Sequence, residues 1–478
     1  MTAPLTPPLP PLVVDLDGTL IQTDMLHETT LLLFKSAPWT AMAVPLWLLR
    51  GKASMKQRIA AQVTPDYTSL PYPEALMNWL REQRATGRRM VLCTASDQRI
   101  ADGVAAHLGL FDEVLASDGQ VNLSGEAKAA RLVERFGDQG FDYAGNSSDD
   151  VPVWQRAREA IVVAARPSVA AAARSHGRPA REFAAPPASL GVWLRALRLH
   201  QWLKNLLVFL PLFGAFRFDD LHLVGVAVLA FLAYGLCASS VYVVNDLMDL
   251  ESDRAHPRKR LRPFASGVIS VPQGLAAAVG LLAGSVLITL QLPPAFGLTL
   301  AVYYALTLAY TFFLKRRVLV DCVTLGMLYT LRIVAGVAAT GVPYSFWFLA
   351  FSLFLFLSLA FVKRYSELQA MLALGRTGAK GRGYLATDAP IVMAMGVSSG
   401  FCAVLLLALY LNSDVMMQRY AHPQVLWLTL PVVLYWISRM WMQAQRGNLS
   451  DDPVVFAVKD RYSLGCAALF GGLLWLAH

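Results

Sequence analysis

The sequence predicts a multi-domain protein, in which an N-terminal α/β domain with a small helical cap precedes an all-α bundle of nine transmembrane helices. Three observations lead to this fold class. Up to about residue 165, short apolar runs alternate with helical stretches, which is the rhythm of a parallel sheet covered by helices. Long uncharged apolar runs dominate the later part of the chain. The apolar fraction is 55%, so part of the chain is expected to lie in lipid.

The α/β domain is predicted over residues 1–165, with a cap at about 24–72. Its strands are expected at 12–16, 89–94, 113–116, 143–145 and 160–164. Residues 38–49 of the cap are apolar and include Trp39 and Trp47. We predict that this stretch forms the core of the cap. The alternative is a surface that rests on the bilayer or on the membrane domain.

The membrane domain is predicted over residues 191–478. Residues 166–190 before it are rich in Ala, Pro, Arg and Gly without periodicity, which is typical of a linker. Spans long enough to cross about 30 Å of hydrocarbon are expected in nine places. They are residues 203–216, 221–244, 271–291, 295–313, 319–340, 344–362, 390–411, 424–441 and 463–477.

Cationic residues are unevenly distributed between the connections of these spans. Connections after even-numbered spans carry most lysines and arginines, whereas the alternate ones contain only Arg217 and Arg419. Because cytoplasmic loops are enriched in cations, the N-terminal domain is expected in the cytoplasm. The chain is then a multi-pass protein of the inner (plasma) membrane, with its C-terminus on the opposite side.

Composition excludes several other classes of protein. The net charge of +9 does not indicate a nucleic-acid partner, because most of the excess lies in short connections between apolar runs. The five cysteines form no CxxC pair, so we predict packing roles for them, not metal ligation or disulfides. The proline-rich start leads directly into a strand, which does not fit a signal peptide. Monomer and oligomer both stay open.

The first candidate site follows the first strand, where Asp15 and Asp17 are separated by one residue. One carboxylate can attack phosphorus while the other moves a proton. This motif resembles the haloacid dehalogenase (HAD) superfamily, whose Rossmannoid phosphatase fold the resemblance implies over residues 12–165. By the resemblance, Thr94 would hydrogen-bond the phosphoryl group and Lys128 would neutralise developing charge.

The last motif of this resemblance occupies residues 145–150. It implies that Asp150 completes an Mg²⁺ site with Asp15 and the carbonyl of Asp17. Asn146 stands where the family often has an aspartate. A decayed domain kept for folding or docking is the alternative to an active phosphatase.

A second acidic cluster follows the second apolar span. Asp246, Asp249 and Asp253 recur at intervals of three and four, so on a helix they share one face and can hold Mg²⁺ between them and a diphosphate. The cations just beyond can bind the phosphates. A basic cytoplasmic loop alone would explain these cations but not the three spaced aspartates.

This cluster, with Asn245 before it, resembles the UbiA superfamily of intramembrane prenyltransferases over residues 193–478. Members typically carry a second aspartate motif after the sixth helix, and both motifs bind the diphosphate of a prenyl donor through Mg²⁺. Residues 361–368 occupy that place here, with two cations and a single carboxylate. Together with residues 201–205 and 253–263, this departure resembles the branch that makes decaprenylphosphoryl-5-phosphoribose.

The resemblance implies a transfer reaction in which a polyprenyl phosphate is the nucleophile and phosphoribosyl diphosphate is the sugar donor. Asp246, Asp249 and Asp253 would hold Mg²⁺ at the cytoplasmic face. The candidates for binding the substrates are Asn245, Lys259, Arg260, Arg262, Lys363, Arg364, Tyr365 and Glu367. Lys204, Lys315, Asp321 and Arg332, near the ends of apolar spans, either line the cavity or anchor a helix at the interface.

The fusion of the two domains suggests a second step. The expected lipid product keeps a 5-phosphate on ribose, and a phosphatase-like domain is tethered at the same face of the membrane, so we expect this domain to remove that phosphate. Two alternatives stay open. One is an aromatic prenyltransferase of quinone biosynthesis with an accessory phosphatase domain. The other is a membrane-anchored scaffold or lipid-binding protein with the HAD-like domain as its only catalyst.

Overall fold

The computed structural model describes residues 9–176, 178–184, 187–343, 345–373, 375, 383–449 and 452–478. Residues 1–8 of the predicted α/β domain and residues 177, 185 and 186 of the predicted linker lie outside the described residues. The chain divides into two compact units. The first unit contains residues 1–196 and 243–277, and the second contains residues 197–242 and 278–478.

The first unit contains a six-stranded parallel sheet with the order β3-β2-β1-β4-β5-β6. Its strands are β1 Leu12–Val14, β2 Met90–Asp97, β3 Glu113–Ser117, β4 Asp142–Gly145, β5 Glu159–Val163 and β6 Arg178–Phe183. Val13 pairs with Val91 on one side and with Tyr143 on the other. Because strand side chains alternate, Leu12 and Val14 enter one apolar cluster while Val13 enters a second. The predicted α/β class is confirmed.

Ten helices accompany this sheet up to residue 196. They are α1 Met25–Ser36, α2 Pro38–Ala41, α3 Val44–Leu48, α4 Lys52–Ala60, α5 Glu74–Ala85, α6 Gln98–Leu108, α7 Gly125–Phe136, α8 Val151–Arg156, α9 Pro167–His176 and α10 Leu190–Ala196. Side chains of α5 and α6 pack in the first cluster, and side chains of α7 to α9 pack in the second. Helices α1 to α4 form the predicted cap region.

The stretch predicted as a linker differs from that prediction at its N-terminal end. Residues 167–176 form α9, and β6 pairs in parallel with β5 at the edge of the sheet. An edge strand needs only one hydrogen-bonded neighbour, so weak apolar alternation suffices to build it. The part of the described chain without helix or strand before α10 is therefore short.

The remaining chain is helical. Its helices are α11 Leu210–Gly214, α12 Leu221–Met248, α13 Leu250–Arg254, α14 Val271–Thr289, α15 Pro294–Phe312, α16 Val320–Thr340, α17 Phe346–Ala373, α18 Ala389–Leu411, α19 Asp414–Arg419, α20 Thr429–Gln445, α21 Pro453–Lys459 and α22 Arg461–Ala477. Tyr234 and Tyr303 pack in one of the buried clusters of the second unit.

The prediction of nine transmembrane helices is not confirmed. Among the described residues, seven helices are long and apolar enough to cross a membrane, and α22 is apolar but shorter. The first predicted span consists of a 3-10 helix, Leu199–Phe209, and the five-residue α11. Lys204 and Asn205 interrupt its apolar pattern, and both are buried inside the second unit.

Candidate functional site

The predicted phosphatase residues meet at the carboxyl edge of the central strands. Asp15 directly follows β1, and its backbone N–H donates to the carbonyl of Ala144 in β4, 2.9 Å away. Thr94 lies in β2, which flanks β1 on the other side. Ligands of parallel sheets bind at this edge. Motifs that are separate in the sequence therefore lie together in one site.

Asp17 is held by donors from two elements. Its Oδ1 accepts from the backbone N–H of Met25 at 2.7 Å, and its Oδ2 accepts from Ser96 Oγ at 2.7 Å. Thr94 Oγ1 also donates to Oδ2, at 3.4 Å. Burial, reinforced by the neighbouring carboxylate of Asp24, raises the pKa of Asp17 to about 6. A carboxyl group with such a pKa can carry a proton near neutral pH.

Lys128 joins the acidic groups of this site. Its ammonium donates to Asp15 Oδ1 at 2.7 Å and to the hydroxyl of Tyr143 at 2.9 Å, and Asp150 Oδ1 lies 3.5 Å away. Burial raises the pKa of Asp15 to about 7, although Lys128 lowers it. Lys128 therefore contacts both Asp15 and the residues around Asp150, and its predicted role in neutralising developing charge stays a prediction.

Asp150 is bound by the chain's own donors. Its Oδ1 accepts from the hydroxyl of Tyr143 at 2.6 Å, and its Oδ2 accepts from the backbone N–H groups of Asn146 and Ser147, each at 2.9 Å. Ser147 Oγ donates to the same oxygen at 3.1 Å. These contacts make Asp150 the anchor of its loop and leave Asp15 as the less engaged carboxylate for a cation. Asp150 as a metal ligand stays a prediction.

Asn146 packs against the turn that follows the first carboxylates. A Cβ added to Gly18 would lie 2.0 Å from the side-chain nitrogen of Asn146, and Gly18 has φ +76°. Only glycine combines this backbone conformation with this space. The residue that departs from the family pattern is therefore in contact with the motif that follows β1.

Two of the three aspartates in the second cluster converge. Arg262 Nη1 donates to Asp253 Oδ2 at 2.6 Å and to Asp246 Oδ1 at 3.3 Å. Burial raises the pKa of Asp253, which Arg262 opposes and Asp246 reinforces. Oxygen ligands from one or two carboxylates, completed by substrate phosphates, are what Mg²⁺ takes in such sites. The pair Asp246 and Asp253 therefore fits the expected ion, and the side chain of Arg262 that joins them is partly exposed.

The remaining predicted residues of this region lie on α12, at the start of α13 and on the 3-10 helix that follows. Asp249 lies between α12 and α13, where the two helices meet. Asn245 is half-buried on α12, Lys259 is half-buried on the 3-10 helix Lys259–Leu261, and Arg260 is exposed. In the described part of the chain, no group of three His, Cys, Asp or Glu side chains is close enough to hold one metal ion. Asp249 as a ligand stays a prediction.

An ion pair within the first unit joins the cap to the aspartate cluster. Arg254, the neighbour of Asp253, donates to Glu28 Oε1 at 2.7 Å and Oε2 at 3.1 Å, and its Nε donates to the carbonyl of Ala265. Both charged side chains are buried. Thr23 Oγ1 also donates to Glu28 Oε1, at 2.7 Å. Sequence reasoning missed this pair, because its members are 226 residues apart.

The second unit contains a cavity of about 640 Å³, part of it open to solvent. Three cations line it, namely Lys204, Lys363 and Arg332. Tyrosines supply much of the remaining polar lining, namely Tyr242, Tyr303, Tyr310 and Tyr329. Of the two interpretations of Lys204 and Arg332, the cavity-lining one describes their positions. No spacing in the sequence identifies the tyrosines.

Arg332 is buried among neutral groups. Its Nε donates to Asn205 Oδ1 at 3.0 Å, and its guanidinium lies 5.2 to 5.4 Å from the ring centres of three tyrosines. These are Tyr234, Tyr303 and Tyr329. Among the described residues, its hydrogen-bond partners carry no negative charge. A buried cation in such surroundings favours an anion beside it.

Lys204 pairs with Asp452, a residue that sequence reasoning missed. Asp452 also caps α21, where its side chain accepts from the backbone N–H groups of Val454 and Val455. An aspartate before proline at a helix start is a sequence signal for a cap, but it does not reveal the partner of the carboxylate. Burial opposes the charge on Asp452, yet Lys204 and Lys363 lower its pKa.

The structure does not place Arg364 at the cavity. Arg364 is 1% exposed, donates to Asp321 Oδ2 at 2.5 Å and pairs with Glu367. Asp321 also accepts from the hydroxyl of Tyr384, at 2.6 Å. Since both oxygens of Asp321 are engaged, this network joins α16 and α17. Helix periodicity explains the correction, because consecutive residues such as Lys363 and Arg364 point about 100° apart.

Tyr365 and Lys315 also lie away from the lining of the cavity. The hydroxyl of Tyr365 donates to Gln445 of α20 and accepts from Gln369 at 2.6 Å. Lys315 lies on the 3-10 helix Leu314–Arg316 and is half-buried. Their predicted roles in substrate binding therefore have no support from the cavity.

Comparison with known proteins connects these sites to two families. Residues 184–464 match the UbiA prenyltransferase family. The chain belongs to that UbiA prenyltransferase family. Residues 12–155 match the haloacid dehalogenase-like hydrolase family, so a HAD-like domain precedes the UbiA domain. Both resemblances expected from the motifs are confirmed.

Three relatives show how the two domains occur. An uncharacterized protein y4nM of Sinorhizobium fredii is 39% identical over 98% of this chain and 91% of that protein. Nodulation protein NoeC of Azorhizobium caulinodans is 38% identical over 60% of this chain and 93% of that protein. Decaprenyl-phosphate phosphoribosyltransferase of Mycobacterium tuberculosis is 41% identical over 41% of this chain and 65% of that protein. One of these relatives therefore aligns with nearly the whole chain, whereas the other two align with only part of it.

Proposed function

We propose that this chain transfers 5-phosphoribose from phosphoribosyl diphosphate to a polyprenyl phosphate, and that its HAD-like domain removes the 5-phosphate from the product. The similarity to a decaprenyl-phosphate phosphoribosyltransferase supports the first step. Membership of the UbiA family and the seven long apolar helices support a membrane enzyme. The cytoplasmic face of the inner membrane, with the C-terminus on the opposite side, is part of the proposal.

The observation that carries the proposal is the charge of the cavity in the second unit. Lys204, Arg332 and Lys363 line it, and Asp452 compensates only part of their charge through Lys204. Arg332 keeps neutral partners among the described residues. Substrates with several phosphates would supply the missing negative charge. Phosphoribosyl diphosphate and a lipid phosphate are substrates of this kind.

In the transfer step, a phosphate oxygen of the lipid attacks C1 of the ribose, and the bond between C1 and the diphosphate oxygen breaks. Asp246 and Asp253, with Asp249, would hold Mg²⁺. When bound, the ion neutralises charge on the leaving diphosphate. Arg262 would release the two carboxylates and turn to a phosphate, together with Asn245, Lys259 and Arg260. In the second unit, Lys204, Arg332 and Lys363 would bind phosphate groups.

In the second step, Asp15 attacks the phosphorus of the 5-phosphate, and the bond to the ribose oxygen breaks. Asp17 gives its proton to that oxygen, then accepts one from the water that hydrolyses the aspartyl phosphate. Thr94 would bind the phosphoryl oxygens, and Lys128, already 2.7 Å from Asp15, would neutralise their charge. Mg²⁺ beside Asp15 and the carbonyl of Asp17 would reduce repulsion between nucleophile and phosphate.

Full-length protein in liposomes tests the proposal directly. It is incubated with decaprenyl phosphate and phosphoribosyl diphosphate labelled with ¹⁴C in the ribose, and the lipids are extracted. We expect a ¹⁴C-labelled, acid-labile lipid that requires both substrates. If these substrates give no labelled lipid, while a prenyl diphosphate labelled with ¹⁴C in its prenyl chain transfers that chain to an aromatic acceptor, the protein is an aromatic prenyltransferase. If neither pair reacts while phosphate esters are hydrolysed, the membrane domain is an anchor.

A further inference from the structure

The cap of the α/β domain exposes an apolar surface. Eight large hydrophobic side chains are exposed among the described residues from 9 to 183, and six of them fall between Phe34 and Leu49. This surface, which we call the cap patch, consists of Phe34, Trp39, Met42, Leu46, Leu48 and Leu49. Trp39 is 84% exposed and Leu49 is 83% exposed. The sequence predicts that residues 38–49 form the core of the cap. That prediction holds for one face of this stretch, and the other face is exposed.

The opposite face of the same stretch packs inward. Ala41 is buried, and Val44 and Trp47 contact a cluster that includes Leu33 and Ile59. The most exposed residues of the outer face recur at intervals of three and four, since they are Trp39, Met42, Leu46 and Leu49. A helical segment that is apolar on both faces needs an apolar environment on its outer side.

Charge identifies the partner of the cap patch. Residues 29–65 contain five cations and no aspartate or glutamate. Arg50 and Lys52 are exposed directly after the patch, and Lys35 lies half-buried before Trp39. Lys56 instead donates to the carbonyl of Ala95 in β2 at 2.6 Å, so its ammonium points toward the sheet and not toward the cap patch. Apolar side chains bordered by cations fit the boundary between acyl chains and anionic headgroups.

Within the first unit, the cap also packs against the C-terminal residues of α12. Leu31 and Leu32 of α1 line one cleft with Leu247 and Met248 of α12. Glu28 of α1 binds Arg254 through the buried ion pair. A Cβ on Gly267 would lie 2.1 Å from the carbonyl oxygen of Gln22, so the two chain segments touch through their backbones. These contacts place α1 beside the C-terminal end of α12.

We propose that the cap patch inserts into the headgroup boundary of an anionic phospholipid leaflet, and that this anchors the HAD-like domain on the membrane. The apolar face enters the acyl boundary, while Arg50 and Lys52 contact lipid phosphates. This proposal does not depend on the reaction proposed above, because it concerns the surface and not the chemistry.

Fluorescence of full-length protein in liposomes tests this insertion. The native Cys402 and Cys466 are replaced by serine, and a nitrobenzoxadiazole label is attached at Leu46→Cys in the patch or at Gln62→Cys, an exposed control position of the cap. In phosphatidylcholine with phosphatidylglycerol, we expect the label at position 46 to emit several-fold more strongly than the control. Lipids brominated near the headgroup should quench only position 46. Equal emission from both, quenched by aqueous iodide, would overturn the proposal.

Two further measurements separate the membrane from other partners. Charge reversal by Arg50→Glu with Lys52→Glu should weaken bromolipid quenching several-fold, more so at higher phosphatidylglycerol content. Arg81→Glu, at an exposed position of α5, should leave the quenching unchanged. Equal bromolipid quenching with and without the charge reversal would contradict the proposed contact between these cations and the lipid headgroups. A signal that persists in detergent without phospholipid and follows the number of protein copies would assign the patch to a second copy, and the proposal would be wrong.

Discussion

The two candidate sites are opposite in charge. In the HAD-like domain, the buried carboxylates of Asp15 and Asp150 share Lys128, and Asp17 lies beside them. In the second unit, three cations line the cavity, and Asp452 pairs with one of them, Lys204. Where the chain leaves a buried charge uncompensated, the opposite charge is expected to come from a ligand. The proposed function therefore assigns a cation and a reacting phosphoryl group to the first site, and phosphate-bearing substrates to the second.

Removing the nucleophile should produce the largest effect and separate the two sites. Asp15→Asn keeps the shape of the side chain but cannot form the aspartyl phosphate, so we expect phosphate release to fall by about 10⁴-fold or more. Transfer of ¹⁴C-ribose to lipid should continue. The control is Asp149→Asn, which changes an exposed neighbour of Asp150. Loss of both activities in Asp15→Asn would show that the sites are not separable.

Removing the buried guanidinium should have the converse effect. Arg332→Met keeps the cavity filled but deletes a charge with neutral partners, so kcat/KM for transfer should fall by about 10²- to 10³-fold. Phosphate release from a small soluble ester should not change. Arg316→Met, at an exposed position on a connection, is the matched control. If Arg332→Met transfers at the normal rate, the cavity cations do not bind the substrate.

The aspartates that converge on Arg262 provide a third test. Asp246→Asn or Asp253→Asn should lower transfer by about 10²-fold, since a bound cation supplies several kcal/mol of charge stabilisation. More Mg²⁺ should be needed for half-maximal rate, which a magnesium titration measures. Asp249→Asn decides between two arrangements. If Asp249→Asn abolishes transfer, all three aspartates hold the ion. If its magnesium titration matches that of the unchanged protein, the ion is held by Asp246 and Asp253 alone.

The smallest effect is expected at the ion pair within the first unit. Glu28→Gln leaves Arg254 buried with a neutral partner and should reduce the free energy of unfolding by about 2 kcal/mol. The measurement is a denaturation curve of the full chain, followed by a signal from the α/β domain. A double-mutant cycle with Arg254→Gln isolates the coupling between the two side chains. Additive losses would mean that the pair does not join the cap to the aspartate cluster.

The features that could be predicted from the sequence are those that depend on a local pattern of residues. The strand before Asp15, the strand that contains Thr94 and the resemblance to two families could be predicted, because alternation and motif order are local properties. The partners of Arg364 and Lys204 could not, because Asp321 and Asp452 are far away in sequence. Helix rotation separates Lys363, which reaches the cavity, from Arg364, which does not. The polar residues Lys204 and Asn205 similarly broke the first predicted span.

The cap stretch shows the same limit at a surface. Its apolar composition was visible in the sequence, and a core was the simpler interpretation of Trp39 and Trp47. The structure divides them, because Trp47 packs inward while Trp39 is exposed. Two short helices with an intervening turn have no long period from which to predict which face is buried.

The central claim is that ribose phosphate passes from the transfer site to lipid and then loses its 5-phosphate. One measurement follows both events, using phosphoribosyl diphosphate labelled with ¹⁴C in the ribose and ³²P at the 5-position, with decaprenyl phosphate and full-length protein in liposomes. The account predicts a lipid that gains both labels and then loses ³²P as inorganic phosphate, whereas Asp15→Asn accumulates lipid with both labels. A lipid that never acquires ¹⁴C, or one that loses ³²P equally in both proteins, would contradict it.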